Sequence, residues 1–286
     1  MIEQVKINIL VEDSENPEKP MLWPEHGLSI LVTLTIDREQ VKILFDTGVS
    51  GKALLHNAKL MAVDLRDIDA IVLSHGHYDH TGGLAAALDE IEASIPIILH
   101  PDALEKKFAL KPKIRFTGIP YTLLEIESKG GKILPSRNPL ELAEGVIATG
   151  EIERVTSFEE PPKHYIILKN GEMTRDQMLD DQALIIRLRE GLAIITGCAH
   201  AGIINTTRYA QRITGEEKVH AIIGGFHLIG ASDEQIEKTI QEIKRINPKI
   251  IAPCHCTGDK AINRFKEELG EKFLEIHVGS TITLKE

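Results

Sequence analysis

"SHGHYDH" (residues 74–80) packs three histidines and an aspartate into seven positions. Just before it, "IDAIVLSH" (68–75) carries the apolar run Ala70–Leu73, which has the length and flanks of a buried strand. Just after it, "TGGLAAALDEIEAS" (81–94) is rich in alanine and leucine, residues that favour helix. The cluster therefore sits in a strand-to-helix turn. His75 and His77, two apart in an extended segment, project the same way, while Asp79 and His80 fold round at the helix start. Three imidazoles and a carboxylate converging without partners are costly to desolvate or, if protonated, repel one another. A divalent cation removes both costs.

Outward from this turn, apolar runs of strand length come early, at Val5–Val11, Ser29–Ile36 and Val41–Phe45, with "DREQ" (37–40) as a hairpin turn. A helix is expected near Gly51–Met61 and a strand in "IPIILH" (95–100). The second half reads as the hairpin "ALIIRLREGLAIITG" (183–197) followed by alternating helices and strands. In "SDEQIEKTIQEIKRI" (232–246), Ser232 and Gln235 form a capping-box pattern, and Ile236, Ile240 and Ile243 make one buried stripe. Residues 1–286 are expected to form one layered domain, with insertions around 101–142 and 151–182, rich in Pro and Gly, that could serve as lids.

With 33 Lys+Arg against 43 Asp+Glu the formal charge is −10, and no run of five basic residues occurs. The clustered cations that a nucleic-acid footprint needs are missing. The N-terminal stretch mixes charge through its apolar run, unlike a secretory signal, and no run nears the roughly eighteen apolar residues of a membrane span. Three cysteines, Cys198, Cys254 and Cys256, are too few for a disulfide scaffold and suit a reducing compartment. A cytoplasmic protein is expected. His26, His56, His100, His164, His220 and His277 stand alone and read as ordinary hydrogen-bonded residues. Cys254 and Cys256 flank His255 in a presumed strand, where alternation turns them away from its side.

"HGHYDH" (75–80) resembles the H-x-H-x-D-H signature of the metallo-β-lactamase superfamily, and "ILFDTG" (43–48), "TGGL" (81–84) and "KIIAPCHCTG" (249–258) resemble its other motifs. The resemblance implies an α+β fold, a four-layer αβ/βα sandwich with metals at one edge of two facing sheets. It implies that His75 and His77 serve one metal and Asp79 and His80 a second, with His255 as a further ligand and Asp46 bracing the site. His227, in "IIGGFHL" (222–228), matches an acid/base histidine of some relatives. Cys198, in "TGCAH" (196–200), stands where many relatives place a bridging aspartate, and His200 is the residue there expected to complete the metal site. The place of the first metal's third histidine reads "ATGE" and ends in Glu151.

The implied cofactor is one or two divalent transition-metal ions, zinc first, with iron or manganese next. The implied activity is a metal-dependent hydrolase acting on a phosphoester, ester or related bond of a small anionic substrate, with Asp79 and His227 as catalytic residues. The alternative is a metal-dependent transferase joining a dihydropterin diphosphate to a ribofuranosylaminobenzene phosphate. A helix beginning near Ala201 is expected to offer free N–H groups to a substrate phosphate.

Overall fold

The computed structural model describes residues 2–285. Two large sheets face each other. One has seven strands in the order Thr281–Lys285, Ile2–Val11, Ser29–Ile36, Glu39–Phe45, Ala70–Val72, Ile95–Leu99 and Gly131–Pro135. The other has six, Ile250–Cys254, Val219–Gly225, Gly191–Thr196, Ala183–Leu188, Val146–Ala148 and Leu140–Ala143.

Side-chain alternation makes the layers. In the first sheet Val5, Ile7 and Ile9, with Ile30, Val32 and Leu34, point inward to meet Leu184, Ile186, Ala193 and Ile195 of the second. Their odd-numbered counterpart Leu31 points outward, onto Leu54, Ala58, Leu84 and Leu88 of helices Lys52–Leu60 and Leu84–Ile91. Ile185, Leu192 and Ile194 face helices Ile203–Thr214, Asp233–Ile246 and Asp259–Leu269 on the far side. A period of two with both faces apolar is what a sheet covered on both sides requires. The result is the four-layer helix–sheet–sheet–helix sandwich that the motifs imply.

Helix Asp233–Ile246 starts as its sequence predicts: Ser232 Oγ accepts the Gln235 N–H at 3.2 Å, and Ile236, Ile240 and Ile243 are buried. The run read as one helix after the histidine cluster is two, Tyr78–Thr81 and Leu84–Ile91. They are separated by Gly82 and Gly83, where a Cβ would lie 2.0 Å and 2.1 Å from the carbonyl oxygens of Val49 and Thr47. The chain passes too close to itself there for a side chain.

A third, four-stranded sheet has the order Glu172–Arg175, Tyr165–Lys169, Lys106–Ala109, Arg115–Phe116. It joins the two segments marked as insertions, since Tyr165 pairs with Ala109 and Ala109 with Arg115. Gly131–Pro135 and Leu140–Ala143, also in the first segment, are edge strands of the large sheets instead. Among the described residues no helix is long and apolar enough to cross a membrane.

Candidate active site

Five strand ends deliver side chains to one edge of the facing sheets. Strand Glu39–Phe45 ends at Asp46, Ala70–Val72 leads into His75–His80, and Gly191–Thr196 leads to Cys198 and His200. Val219–Gly225 leads to His227, and Ile250–Cys254 to His255. Asp46, Ala199, His227 and His255 leave their strands with φ of 60°, 53°, 44° and 50°. Left-handed backbone costs a non-glycine residue roughly 1–3 kcal/mol and persists where surrounding structure imposes it. Here it turns the chain so that side chains gather over the sheet edge. The two sheets approach closely at this point: a Cβ at Gly197 would lie 2.0 Å from Ser74 Oγ.

The gathered histidines are buried, and several of their nitrogens lack protein partners. His75, His77, His80, His200 and His255 are all under 9% exposed. His75 and His200 rings lie 4.7 Å apart, His75 and His80 4.3 Å, and His200 and His227 4.1 Å. No hydrogen bond reaches His77 Nε2, either nitrogen of His200, His227 Nδ1 or His255 Nε2. Potential donor atoms of His75, His77 and His200 fall within 4.8 Å of one another, as do those of His75, His80 and Cys198. Burial pushes the His75 and His200 pKa values well down and that of His77 to about 3, so these imidazoles are neutral, and His77 and His200 keep nitrogens without a partner. Each unmet buried polar atom costs about 1–3 kcal/mol. Neutral imidazoles with unpaired nitrogens fit a transition-metal cation, which would satisfy them together.

Carboxylates hold the rings from behind. Asp46, fully buried, accepts from Ser74 N (2.7 Å), Ser74 Oγ (2.6 Å) and His80 Nδ1 (2.7 Å), leaving His80 Nε2 to face Cys198 Sγ at 3.1 Å. Asp13 Oδ1 lies 2.6 Å from His255 Nδ1, and Glu12 Oε1 accepts the His255 N–H at 2.9 Å. A carboxylate on one ring nitrogen fixes the tautomer and leaves the other nitrogen free to ligate. Asp180 Oδ2 accepts the Gly76 N–H (2.8 Å), while its Oδ1 and Asp176 take the buried Lys107 ammonium (2.9 and 2.7 Å). The loop bearing His75 and His77 is thereby tied to the small sheet. Burial opposes ionisation of Asp79, yet the neighbouring His80 and His255 rings hold its pKa well below the usual carboxylate range.

These groups open into a cavity of about 200 Å³ whose walls include His77, Asp79, His200, His227 and His255, with Tyr165 and Arg115 from the small sheet. Residues 22–167 match the metallo-beta-lactamase superfamily. The chain is 40% identical to the 7,8-dihydropterin-6-methyl-4-(beta-D-ribofuranosyl)-aminobenzene-5'-phosphate synthase of Methanocaldococcus jannaschii, across 98% of this chain and 97% of that protein. It belongs to the metallo-beta-lactamase superfamily. Its structure resembles that of Tm1679, described as a metal-dependent hydrolase of the beta-lactamase superfamily, with a TM-score of 0.83 and 30% identity over 99% of this chain and 100% of that one. Zn(2+)-bound PqqB from Methylobacterium extorquens shares the fold at 13% identity, with a TM-score of 0.56 over 97% and 99% of the two chains. The protein is an enzyme.

Within this metallo-beta-lactamase edge the structure brings together His75, His77, Asp79, His80, Cys198, His200, His227 and His255. Asp46 lies behind them. Glu151 is turned elsewhere: its carboxylate takes Arg137 Nη1 at 3.1 Å and His100 Nε2 at 3.4 Å. His200, not Glu151, is the residue whose nitrogens gather with those of His75 and His77.

His26 is hydrogen-bonded as expected, its ring to Asp13 at 2.8 Å, and it stands at the cavity wall 3.4 Å from Asp79. Two expectations need correcting. Cys256 does not point away, because His255–Thr257 is a 3₁₀ turn rather than strand, and its thiol joins Cys198 and His255 at the cavity. Cys254 does pack into the inter-sheet core. The N–H groups at the start of helix Ile203–Thr214 are not open to a substrate. Glu159 accepts from Ile204 and Asn205 (both 2.9 Å), and Asp181 accepts from Ala201 (2.9 Å). Burial raises the Asp181 pKa to about 7 even so.

The sequence reading also missed Glu12, Asp13, Lys107, Asp180 and Tyr165. An acidic pair directly after a strand was the one available sign for Glu12 and Asp13, since the other strand ends carry site residues.

Proposed function

We propose that this enzyme is a metal-dependent transferase joining a dihydropterin diphosphate to a ribofuranosylaminobenzene phosphate. The observation that carries this reading is the 40% identity with the M. jannaschii synthase across 98% of the chain. It raises the earlier alternative above simple hydrolysis. In the proposed reaction the arylamine nitrogen bonds to the carbon bearing the diphosphate, the carbon–oxygen bond breaks, diphosphate departs and the nitrogen loses one proton.

His75, His77, His80, His200, Asp79 and His255 would hold the metal, with Cys198 beside them. A donor set of imidazole, carboxylate and thiol favours zinc, with iron or manganese as substitutes. When bound, the metal supplies positive charge for an anionic leaving group. Asp79, ionised at the cavity wall, orients the nucleophile. His227 lies against His200 with Nδ1 unpartnered, and it exchanges the proton. The substrate is a small anion, and the three free thiols support a reducing, cytoplasmic setting.

Likeness to Tm1679 favours a second reading, hydrolysis, in which water replaces the amine. Supplying the pterin diphosphate with and without the arylamine separates the two. The transferase reading predicts diphosphate release only with the amine and in amounts equal to its consumption. Release at the same rate without amine establishes hydrolysis.

A further inference from the structure

The hairpin Lys106–Phe116 has a charge unlike the rest of the chain. From Lys106 to Leu124 the sequence carries Lys106, Lys107, Lys111, Lys113 and Arg115 and no acidic residue, in a protein of formal charge −10. Lys107 is spent internally on Asp176 and Asp180. Lys111, Lys113 and Arg115 are exposed and, among the described residues, pair with no carboxylate.

Sheet register aims Arg115 at the cavity. Arg115 pairs with Ala109 and Ala109 with Tyr165, so the three stand in one row across three strands. Residues directly opposite one another share a face. Tyr165 and Arg115 both line the cavity, and Arg115 is the one lysine or arginine among the described residues that do. Burial raises the Tyr165 pKa to about 12, and the Arg115 charge opposes that rise, as proximity of the two groups requires.

An anionic substrate needs such a group. Asp13 and Asp79 on the same walls repel it, and the nearby helix start is already capped by Glu159 and Asp181. His77, His200 and His255 are the buried part of the wall, whereas Arg115 is exposed, in a lining that also holds Tyr78, Tyr165 and Ile229, the last 65% exposed.

We propose that Arg115 anchors a phosphate monoester carried on an apolar, ring-bearing substrate, held at the cavity mouth away from the reacting atoms. Lys111 and Lys113 draw the anion in. Guanidinium suits this task because its fork donates two parallel hydrogen bonds to phosphate. The inference rests on the cavity being a substrate site and holds for either reaction above.

Phenyl phosphate and inorganic phosphate are the probes, titrated calorimetrically into metal-loaded wild type, Arg115→Ala, Arg115→Lys and Lys111→Gln/Lys113→Gln. Arg115→Ala is expected to weaken phenyl phosphate on the order of 10- to 100-fold, with partial recovery in Arg115→Lys. The double glutamine variant is expected to flatten the salt dependence of binding. Unchanged phenyl phosphate affinity in Arg115→Ala, at wild-type metal content, overturns the proposal. Equal affinity of wild type for the two probes overturns the claim of an ester. Binding is read without turnover, so an enzyme that fails the pterin assay but loses phenyl phosphate on Arg115→Ala refutes only the proposed reaction.

Discussion

Asp46 shows how much a residue can do from behind the residues that would hold the metal. It bonds Ser74 twice and His80 once, and so fixes both the entry to the histidine turn and the ring at its end. Asp46→Asn keeps the shape but replaces one acceptor oxygen by a donor amide. The expected result is a folded protein with metal affinity lowered about 10–100-fold, measured by competition with a chromophoric chelator. Wild-type affinity in that variant removes Asp46 from the site. This residue was legible because "DTG" follows a strand within a recognisable local motif. Asp13 does the same for His255 but was not legible, since 242 positions separate them and no local pattern links them. Cys256 was misread for a related reason: alternation holds only while the chain stays extended, and His255, at φ 50°, ends it one residue earlier.

At the scale of elements, two buried charge arrangements decide how the loops sit. Lys107, on the small sheet, has both aspartates as partners and no solvent. Burial alone would lower its pKa, but Asp180 and Asp176 raise it, so the ammonium stays charged. Lys107→Met leaves two buried carboxylates uncompensated, and a loss of about 3–5 kcal/mol in urea unfolding is expected. A loss under roughly 1 kcal/mol would mean that water or rearrangement replaces the ammonium.

Glu159, reaching from an irregular segment to cap helix Ile203–Thr214, behaves oppositely. Burial raises its pKa above the ordinary 4.5 despite the hydrogen bonds from Ile204 and Asn205. The folded chain therefore holds a proton that the unfolded chain releases, and stability falls as pH rises from about 4.5 through the raised value. Glu159→Gln is expected to flatten that fall in denaturation curves taken across pH. An identical slope in both proteins contradicts the assignment. Neither arrangement was visible in the sequence, where the strands and helices of the two large layers mostly were and those between Lys106 and Ala143 were not. Periodicity reports which face of an element is buried, whereas a cap supplied from 45 residues away is a tertiary contact.

For the whole molecule, the layered fold itself creates the site. Two sheets buried on both faces bring their strand ends to a common edge, and the residues at those ends are the polar ones that a core cannot keep without a partner. The proposed partner is a metal held by His75, His77, Asp79, His80, His200 and His255. Elemental analysis of protein purified without added metal tests it most directly, alongside the variant with all six changed to alanine. Wild type is predicted to carry about one to two equivalents of transition metal per chain and the variant none. Metal content in the variant equal to wild type would show that these six residues do not hold the metal.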